Sequence, residues 1–214
     1  MSPRSADPAV RTALIDAAAR ILAADGPGAL STRRLAAEVG ASTMAVYTHF
    51  GSMDQVRHAV RAEGFARLDA VLDRVRRTDD PVADLTSDAL AYLDAGLADP
   101  EMYRAMFVDR PPSSDADPGA GLFHRLVASV RRCIDAGRFG PADDPLPLGW
   151  AAEIWTMQHG MVVLAFGEVL PTDQIRFVLT DMTYRLAVGF GDEPTAARRS
   201  VEKPGSRRRR TAKR

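Results

Sequence analysis

The segment 31–50, STRRLAAEVGASTMAVYTHF, carries small, hydroxyl and aromatic side chains at helical spacing. In its second half, Met44, Tyr47 and Thr48 lie on a predicted helix that is too short to be stable alone. Side chains of these types approach phosphate oxygens and thymine methyl groups without carrying bulk charge. The segment is therefore a candidate for entering a DNA groove, although its spacing fits an ordinary helical hairpin in an all-α core equally well.

Two capped helices are predicted to present these side chains. Ser31 or Thr32 can accept hydrogen bonds from the free N–H groups that begin a first helix, and Ser42 can do the same for a second. Between them stands Gly40, the residue type that most readily adopts the left-handed conformation at a helix end. One apolar face of the first helix is formed by residues at helical spacing, Leu35, Ala36 and Val39.

A preceding helix is predicted to hold this pair in place. It runs from about Ala9 to Ala24 and is stopped by the turn-forming residues 25–28, DGPG. Leu30 and Leu35 are expected to pack beneath its apolar stripe. The stripe consists of Leu14, Ala17, Ala18, Ile21 and Leu22. Three helices then form a small core to which the last of them is fixed.

The region from Ala9 to about Arg67 resembles the DNA-binding domain of the tetracycline-repressor (TetR) family of bacterial regulators. The matching pieces are ALIDAAARILAADG, STRRLAAEVGAS and MAVYTHFGSMDQV. Together they combine a short helix, a Gly-x-Ser turn and a Tyr-x-His-Phe ending. The resemblance implies a helix-turn-helix domain that binds double-stranded operator DNA as a homodimer.

The resemblance also implies which side chains contact DNA. Contacts to phosphate oxygens are implied for Thr43, Tyr47 and His49. Contacts to the groove or to the DNA backbone are implied for Thr32, Arg33, Arg34, Ser42, Met44 and Thr48.

Alternatives remain open at several of these positions. Arg33 and Arg34 lie about 100° apart on a helix, so they cannot face the DNA equally. His49 is an alternative cap for the following helix, and Phe50 is assigned to the core. Met53 stands where members of the family commonly carry Lys, which removes one phosphate contact.

Charge is distributed unevenly along this chain of 214 residues, whose net charge is zero. Residues 198–214 contain nine Lys or Arg and one acidic residue, whereas the rest contains 19 basic and 27 acidic residues. Phosphate attraction is local and is screened beyond about 8–10 Å, so an acidic remainder does not forbid DNA binding. The basic tail is expected to add non-specific affinity through counterion release. A solubilising or incidental tail is the alternative.

Several patterns bear on the compartment. No segment approaches the roughly 20 apolar residues of a membrane span, and the N-terminus shows no basic-then-apolar signal pattern. The single cysteine, Cys133, cannot form an intramolecular disulfide. A cytoplasmic protein without a membrane partner is therefore expected.

Enzymes are the rival class, and the sequence gives them no positive support. There is no Gly-x-Ser-x-Gly elbow, phosphate loop or dinucleotide fingerprint. Cys133 stands beside Arg131 and Arg132, which could lower its pKa, but a cysteine on a helix is usually structural. Spacing typical of metal ligands is absent from the four histidines, which are His49, His58, His124 and His159. No catalytic residue, metal or cofactor is expected.

The remainder of the chain is predicted to be mostly helical. A long helix runs from Met53 to about Arg77, with a domain boundary near its middle. Residues 109–120 are a loop by composition, and residues 191–214 are expected to be disordered because no core can be built from them. The other predicted helices span 82–98, 101–108, 122–136, 148–170 and 173–190.

The helix at 148–170 has two opposed apolar faces, both of which must be covered. One face carries Trp155, His159, Val162 and Phe166. We expect one face to pack within its own domain and the other to meet a partner. In the TetR family two such helices from each chain usually form a four-helix dimer interface. The dimer residues expected here are Trp150, Met157, Met161, Leu164, Ile175, Val178 and Met182.

An effector pocket is expected in the same part of the chain, because one polar group among aromatic side chains is typical of a small-molecule site. The polar group is His159, and the effector is expected to be a small apolar or aromatic molecule. A core histidine with satisfied hydrogen bonds is the alternative. The remaining residues expected to line the pocket are Met106, Phe107, Phe123, Trp155 and Phe166.

A second resemblance concerns this region. PEMYRAMF and WTMQHGMV are similar to a C-terminal domain type, found in one subgroup of these regulators, that is named for its Trp, His and Gly. The matching residues are Trp155, His159 and Gly160.

The expected fold is all-α, with a three-helix helix-turn-helix domain at 9–67 and a larger helical effector-binding and dimerisation domain at 68–190. A disordered basic tail is expected at 191–214. The expected function is that of a ligand-responsive repressor bound to a pseudo-palindromic operator. The alternatives are an architectural DNA-binding protein that relies on the tail, and a body that serves only dimerisation. An activator would show the same features.

Overall fold

The computed structural model describes residues 7–108, 117–143 and 145–204. Within these ranges the chain forms α-helices and no β-strand, so the all-α prediction is confirmed. A short 3-10 helix lies at Pro27–Ala29. The α-helices are α1 (Pro8–Asp25), α2 (Thr32–Glu38), α3 (Thr43–Phe50), α4 (Met53–Asp73), α5 (Pro81–Ala98), α6 (Pro100–Val108), α7 (Ala120–Asp135), α8 (Leu146–Phe166), α9 (Thr172–Gly189) and α10 (Pro194–Glu202).

The helices belong to two compact units. The first consists of the described residues within Met1–Arg67 and Asp99–Gly119, and the second of those within Leu68–Ala98 and Ala120–Arg214. The expected second domain at 68–190 is therefore interrupted. Its segment 99–119 belongs to the first unit because α6 packs against α1.

In the first unit, α1 supplies much of the core. Its predicted apolar stripe is buried, and Ile15 and Ala19 are buried as well. Close packing also joins α4 to α6: a Cβ built on Gly64 would stand only 2.4 Å from the Cγ of Met106. The buried guanidinium of Arg61 donates to the carbonyl oxygen of Met106 at 2.6 Å. Helix α6 is thereby part of the first unit's core.

In the second unit, α5 is buried along most of its length and contacts α7, α8, α9 and α10. The Asp80 carboxylate caps its N-terminus by accepting from the N–H groups of Val82 and Ala83, at 3.2 and 3.1 Å. Buried Asp84 accepts from the N–H of Thr78 at 2.9 Å and from Arg132 at 2.5 Å. The core of this unit is therefore built around a helix whose start is held by the half-buried Asp80 and the buried Asp84 carboxylates.

Helix α4 ends at Asp73, four residues before the predicted end at Arg77. The chain then turns towards α5, because Arg77 pairs with Asp88 at 2.6 Å and Thr78 is bound by Asp84. These contacts with α5 hold the segment that directly follows α4 in a non-helical course.

Helix α10 corrects the expectation of disorder from residue 191 onward. The Glu193 carboxylate caps it by accepting from the N–H groups of Thr195 and Ala196, at 2.8 and 2.7 Å. Its Ala197 and Val201 are buried. The cap and the burial of these two side chains stabilise α10, which packs against α5 and α9. The tail prediction for 205–214, and the loop prediction for 109–116, lie outside the described residues.

Candidate nucleic-acid interface and ligand cavity

Helices α2 and α3 begin at the predicted caps. The Ser31 hydroxyl accepts from the N–H of Arg34 at 3.3 Å, and the Ser42 hydroxyl accepts from the N–H of Ala45 at 3.2 Å. Between the helices Gly40 has φ +66°, in the left-handed region that favours glycine. These local features produce the helix-turn-helix geometry that the spacing predicted.

The two faces of α3 differ sharply. Val46 and Phe50 are buried in the first unit, whereas the Met44 side chain is 69% exposed and Tyr47 is 51% exposed. A two-turn helix has little stability of its own, so its buried face must hold it in place. The outcome is a fixed helix that presents large, weakly polar side chains to solvent.

The other predicted DNA contacts surround this face. Arg33 is exposed, whereas Arg34 pairs with Asp25 and is thus partly engaged within the protein. His49 is half-buried beside Phe50, with ring centroids 6.1 Å apart. Ser42, Thr43 and Thr48 are exposed, and Thr32 is half-buried. All nine residues belong to one helix-turn-helix segment.

The alternative role of His49 as a cap finds no support in the hydrogen bonds. The N-terminus of α4 is capped by the Ser52 hydroxyl, which accepts from the N–H of Gln55 at 3.2 Å. The side chain of His49 is therefore not needed for that purpose.

A cavity of about 30 Å³ lies in the second unit among α4, α5, α7 and α8. This volume matches a single water molecule or hydroxyl group rather than a whole ligand. Two of the predicted pocket residues, Phe123 and Trp155, line it with their ring centroids 5.4 Å apart. The full lining consists of Leu72, Asp88, Tyr92, Leu122, Phe123, Arg125, Leu126, Ser129, Trp155 and Gln158.

The other four predicted pocket residues do not line this cavity. Met106 and Phe107 lie on α6 in the first unit, where Met106 is buried against Gly64. His159 and Phe166 lie on α8 outside the lining. Burial lowers the pKa of His159, so its imidazole is neutral at pH 7.

Sequence reasoning missed the charged residues of the cavity. Asp88 is only 6% exposed, and burial raises the pKa of its carboxyl even though Arg77 opposes that shift. Arg125 pairs with Asp69 at 2.9 Å and Asp73 at 2.5 Å. The sequence did contain a signal for this charged site, which is the aspartate within the largely apolar segment LTSDALAYL. A charge on a buried helix face needs a partner, so Asp88 predicts a nearby basic group.

Most residues expected at a dimer interface are packed within the chain. Met157, Met161 and Ile175 are buried, and Trp150 stacks on Phe190 with centroids 4.7 Å apart. Val178 and Met182 are half-buried, and Leu164 is 38% exposed. Because α5, α7 and α9 contact α8, the face expected to meet a partner is largely covered already.

A different apolar surface is open on α8 and α9. Phe177 is 72% exposed, and Val163 and Leu164 are exposed as well. A single exposed apolar side chain is common, but a group of them on neighbouring helices is typical of an interaction surface. We call these three residues the open apolar face.

The described residues show no reactive cysteine, metal cluster or membrane span. Cys133 is buried, and burial raises the pKa of its thiol to about 12, outweighing the arginines Arg138 and Arg132. Arg132, one of the two neighbouring arginines, does act to lower this pKa, but burial has the larger effect. The described ranges hold no cluster of three metal-binding side chains, and none of their helices is long and apolar enough to cross a membrane.

Comparison with known proteins places both parts of the chain. The sequence model described as "Bacterial regulatory proteins, tetR family" matches residues 14–60, and "Tetracyclin repressor-like, C-terminal domain" matches residues 85–182. An uncharacterized HTH-type transcriptional regulator of Mycobacterium tuberculosis is 28% identical over 183 residues, covering 84% of this chain and 81% of its own. The Trp-His-Gly subgroup stays a prediction.

Solved structures share the fold. A tetR-family regulatory protein from Rhodococcus RHA1 superposes with a TM-score of 0.72 at 21% identity, covering 86% of this chain and 97% of its own. RolR in complex with resorcinol gives a TM-score of 0.61 at 16% identity, covering 92% and 95%. With both family models matching in the expected order, the chain belongs to the tetracycline-repressor (TetR) family and is a helix-turn-helix transcriptional regulator.

Proposed function

We propose that this regulator is a ligand-responsive repressor that binds a pseudo-palindromic operator as a homodimer. The observation that carries the proposal is the exposed face of α3, where Met44 and Tyr47 project from a helix held by buried Val46 and Phe50. In helix-turn-helix proteins the second helix reads the major groove, and dimers read half-sites about 34–36 Å apart.

The open apolar face supports the homodimer. Phe177, Val163 and Leu164 leave apolar surface on two adjacent helices that a second copy of the chain would cover. An isologous two-fold interface matches the symmetry of a pseudo-palindrome.

The cavity of the second unit supports a response to ligand. Its aromatic lining suits a small apolar or aromatic effector, and RolR, which has the same fold, has been solved with resorcinol. A ligand shifts the population between two states only if it binds them with different affinities. An effector that favours the state with lower operator affinity would relieve repression.

The test is fluorescence anisotropy with labelled DNA from upstream of the protein's own gene and with scrambled DNA. Wild-type protein should bind the upstream DNA selectively. Tyr47→Ala should weaken that binding at least tenfold, about 1.4 kcal/mol. The variant should remain folded because the Tyr47 side chain is half-exposed. Tyr184→Ala, in the second unit, is the matched control and should leave the affinity unchanged.

Equal affinity for both DNAs, combined with steep salt dependence, would contradict the proposal. It would favour the architectural alternative, in which the basic residues of the tail supply the binding through counterion release.

A further inference from the structure

Two charged residues that line the cavity, Asp88 and Arg125, each carry a buried hydrogen-bonding atom without a partner among the described residues. Asp88 accepts from Arg77 through Oδ2 at 2.6 Å, but its buried Oδ1 has no partner among the described residues. Arg125 donates through one terminal nitrogen to Asp69 and Asp73, but its buried Nε–H has no partner in those ranges either. Buried polar atoms in native proteins are nearly always hydrogen-bonded, so this acceptor and this donor point to a partner outside the chain.

Both groups are fixed in place. The Arg77 contact orients the Asp88 carboxylate on α5, and the carboxylates of α4 hold the Arg125 guanidinium of α7. A ligand therefore meets one acceptor and one donor whose positions are already set, which lowers the entropy cost of binding.

The rest of the lining is apolar and aromatic. Phe123 and Trp155 form a tilted aromatic pair beside Leu122 and Leu126, and all four are half-buried. Half-buried side chains can shift at smaller cost than a closed core, so an aromatic ring can be accommodated on this side of the cavity. The 30 Å³ already open in the cavity suits only the ligand's polar end.

The two unused atoms select a chemical class. A protonated amine only donates, and a carboxylate or an ether only accepts, whereas a hydroxyl does both. We propose that the cavity binds the hydroxyl end of a small aromatic effector. The hydroxyl donates to Oδ1 of Asp88 and accepts from Nε–H of Arg125, while the ring lies against Phe123 and Trp155. The inference rests on the proposed function, because it takes this ligand to be the effector.

Calorimetric titration of the full chain with phenol, anisole and toluene tests the proposal. The three probes share a ring but differ in polar group: phenol donates and accepts, anisole only accepts, and toluene does neither. Hydrogen bonds to charged groups contribute about 1.5–3 kcal/mol, so phenol should bind at least about tenfold more tightly than anisole or toluene.

Asp88→Asn gives the sharpest variant. Arg77 needs an oxygen to donate to, so the new amide turns its oxygen to Arg77 and its NH₂ to the cavity. The preference for phenol over anisole should then fall to within about twofold. Asp94→Asn is the matched control: this exposed aspartate of the same helix pairs with Arg176, and its loss should leave the preference intact.

Arg125→Lys keeps the charge and removes the Nε–H, which both phenol and anisole would use. The variant should bind phenol and anisole more weakly than the wild type does, and its affinity for toluene should be unchanged. This second variant keeps the proposal falsifiable if Asp88→Asn fails to fold, which circular dichroism would show.

Equal affinities of wild-type protein for the three probes, or no saturable heat from any of them, would overturn the inference. A water molecule alone would then bridge Asp88 and Arg125. Operator binding by the same preparations separates the two claims. Intact operator selectivity without phenol preference refutes this inference alone, whereas phenol preference without operator selectivity refutes the repressor proposal.

Discussion

Neighbouring residues on α3 differ sharply in exposure, and we expect them to have different roles. Met44 projects into solvent, while Val46, two residues later, is buried in the first unit. A side chain that is mostly exposed contributes little to stability, so we expect the effect of changing Met44 to appear in recognition.

Met44→Ala should therefore reduce the ratio of operator to scrambled-DNA affinity while changing the free energy of unfolding by no more than about 0.5 kcal/mol. Val46→Ala should cost about 1–3 kcal/mol of stability through lost burial. Anisotropy and urea denaturation measure the two quantities. A Met44 variant that is destabilised as strongly as the Val46 variant would show that Met44 is a packing residue.

The thiol of Cys133 illustrates how burial outweighs nearby charge. Its arginine neighbours favour the thiolate, but Arg132 is already held by Asp84 and Arg138 by Asp80 and Asp192. With a pKa raised to about 12, the thiol stays protonated at neutral pH, where only the thiolate is nucleophilic.

A thiol reagent such as Ellman's reagent should consequently leave Cys133 unmodified in native protein and react with it fully in denaturant. Absorbance of the released thiolate measures both rates. Rapid labelling of the native protein would mean that the helix carrying Cys133 opens readily.

At the scale of elements, α10 depends on a polar network as well as on apolar burial. Arg138 donates to both oxygens of Asp192, at 2.8 and 2.7 Å, and to Asp80 at 2.7 Å. The Ser200 hydroxyl of α10 donates to Asp80 at 2.6 Å. These bonds join α10 to the N-terminus of α5.

Truncation before Glu193 should lower the melting temperature by about 4–8 °C. The lost burial of Ala197 and Val201 costs roughly 2 kcal/mol, and a chain of this size loses about 2–4 °C per kcal/mol. Truncation after Pro204 is the matched control and should leave the melting temperature unchanged. Equal melting temperatures for both truncations would show that α10 adds nothing to the second unit.

At the scale of the whole molecule, mutations on two surfaces should affect two different functions. The exposed face of α3 is proposed to bind DNA, and the open apolar face around Phe177 is proposed to bind a second copy of the chain. An aspartate in place of Phe177 would lose its hydration when the dimer forms and would gain no ion-pair partner. Its desolvation cost therefore opposes dimerisation.

Phe177→Asp should shift the protein from dimer to monomer in light scattering and weaken operator binding, because two half-sites are then no longer read together. Met44→Ala should leave the dimer mass unchanged. A Phe177 variant that remains dimeric would place the interface elsewhere.

Local interactions made the helix-turn-helix segment predictable. The Ser31 and Ser42 caps and the left-handed Gly40 each involve residues within a few positions of one another. Such short-range features can be predicted from the sequence alone. The order of the helices and the family resemblance follow from the same local patterns, and both are confirmed.

Tertiary packing decided what periodicity leaves open. Helical spacing states which residues share a face but not which neighbour covers that face. Hence α6 proved to be part of the first unit, and Met157 and Met161 of α8 proved to be core. The meeting of Asp88 and Arg125 at one cavity likewise joins helices distant in sequence, and only the packing of α5 against α7 brings those two charges to the same site.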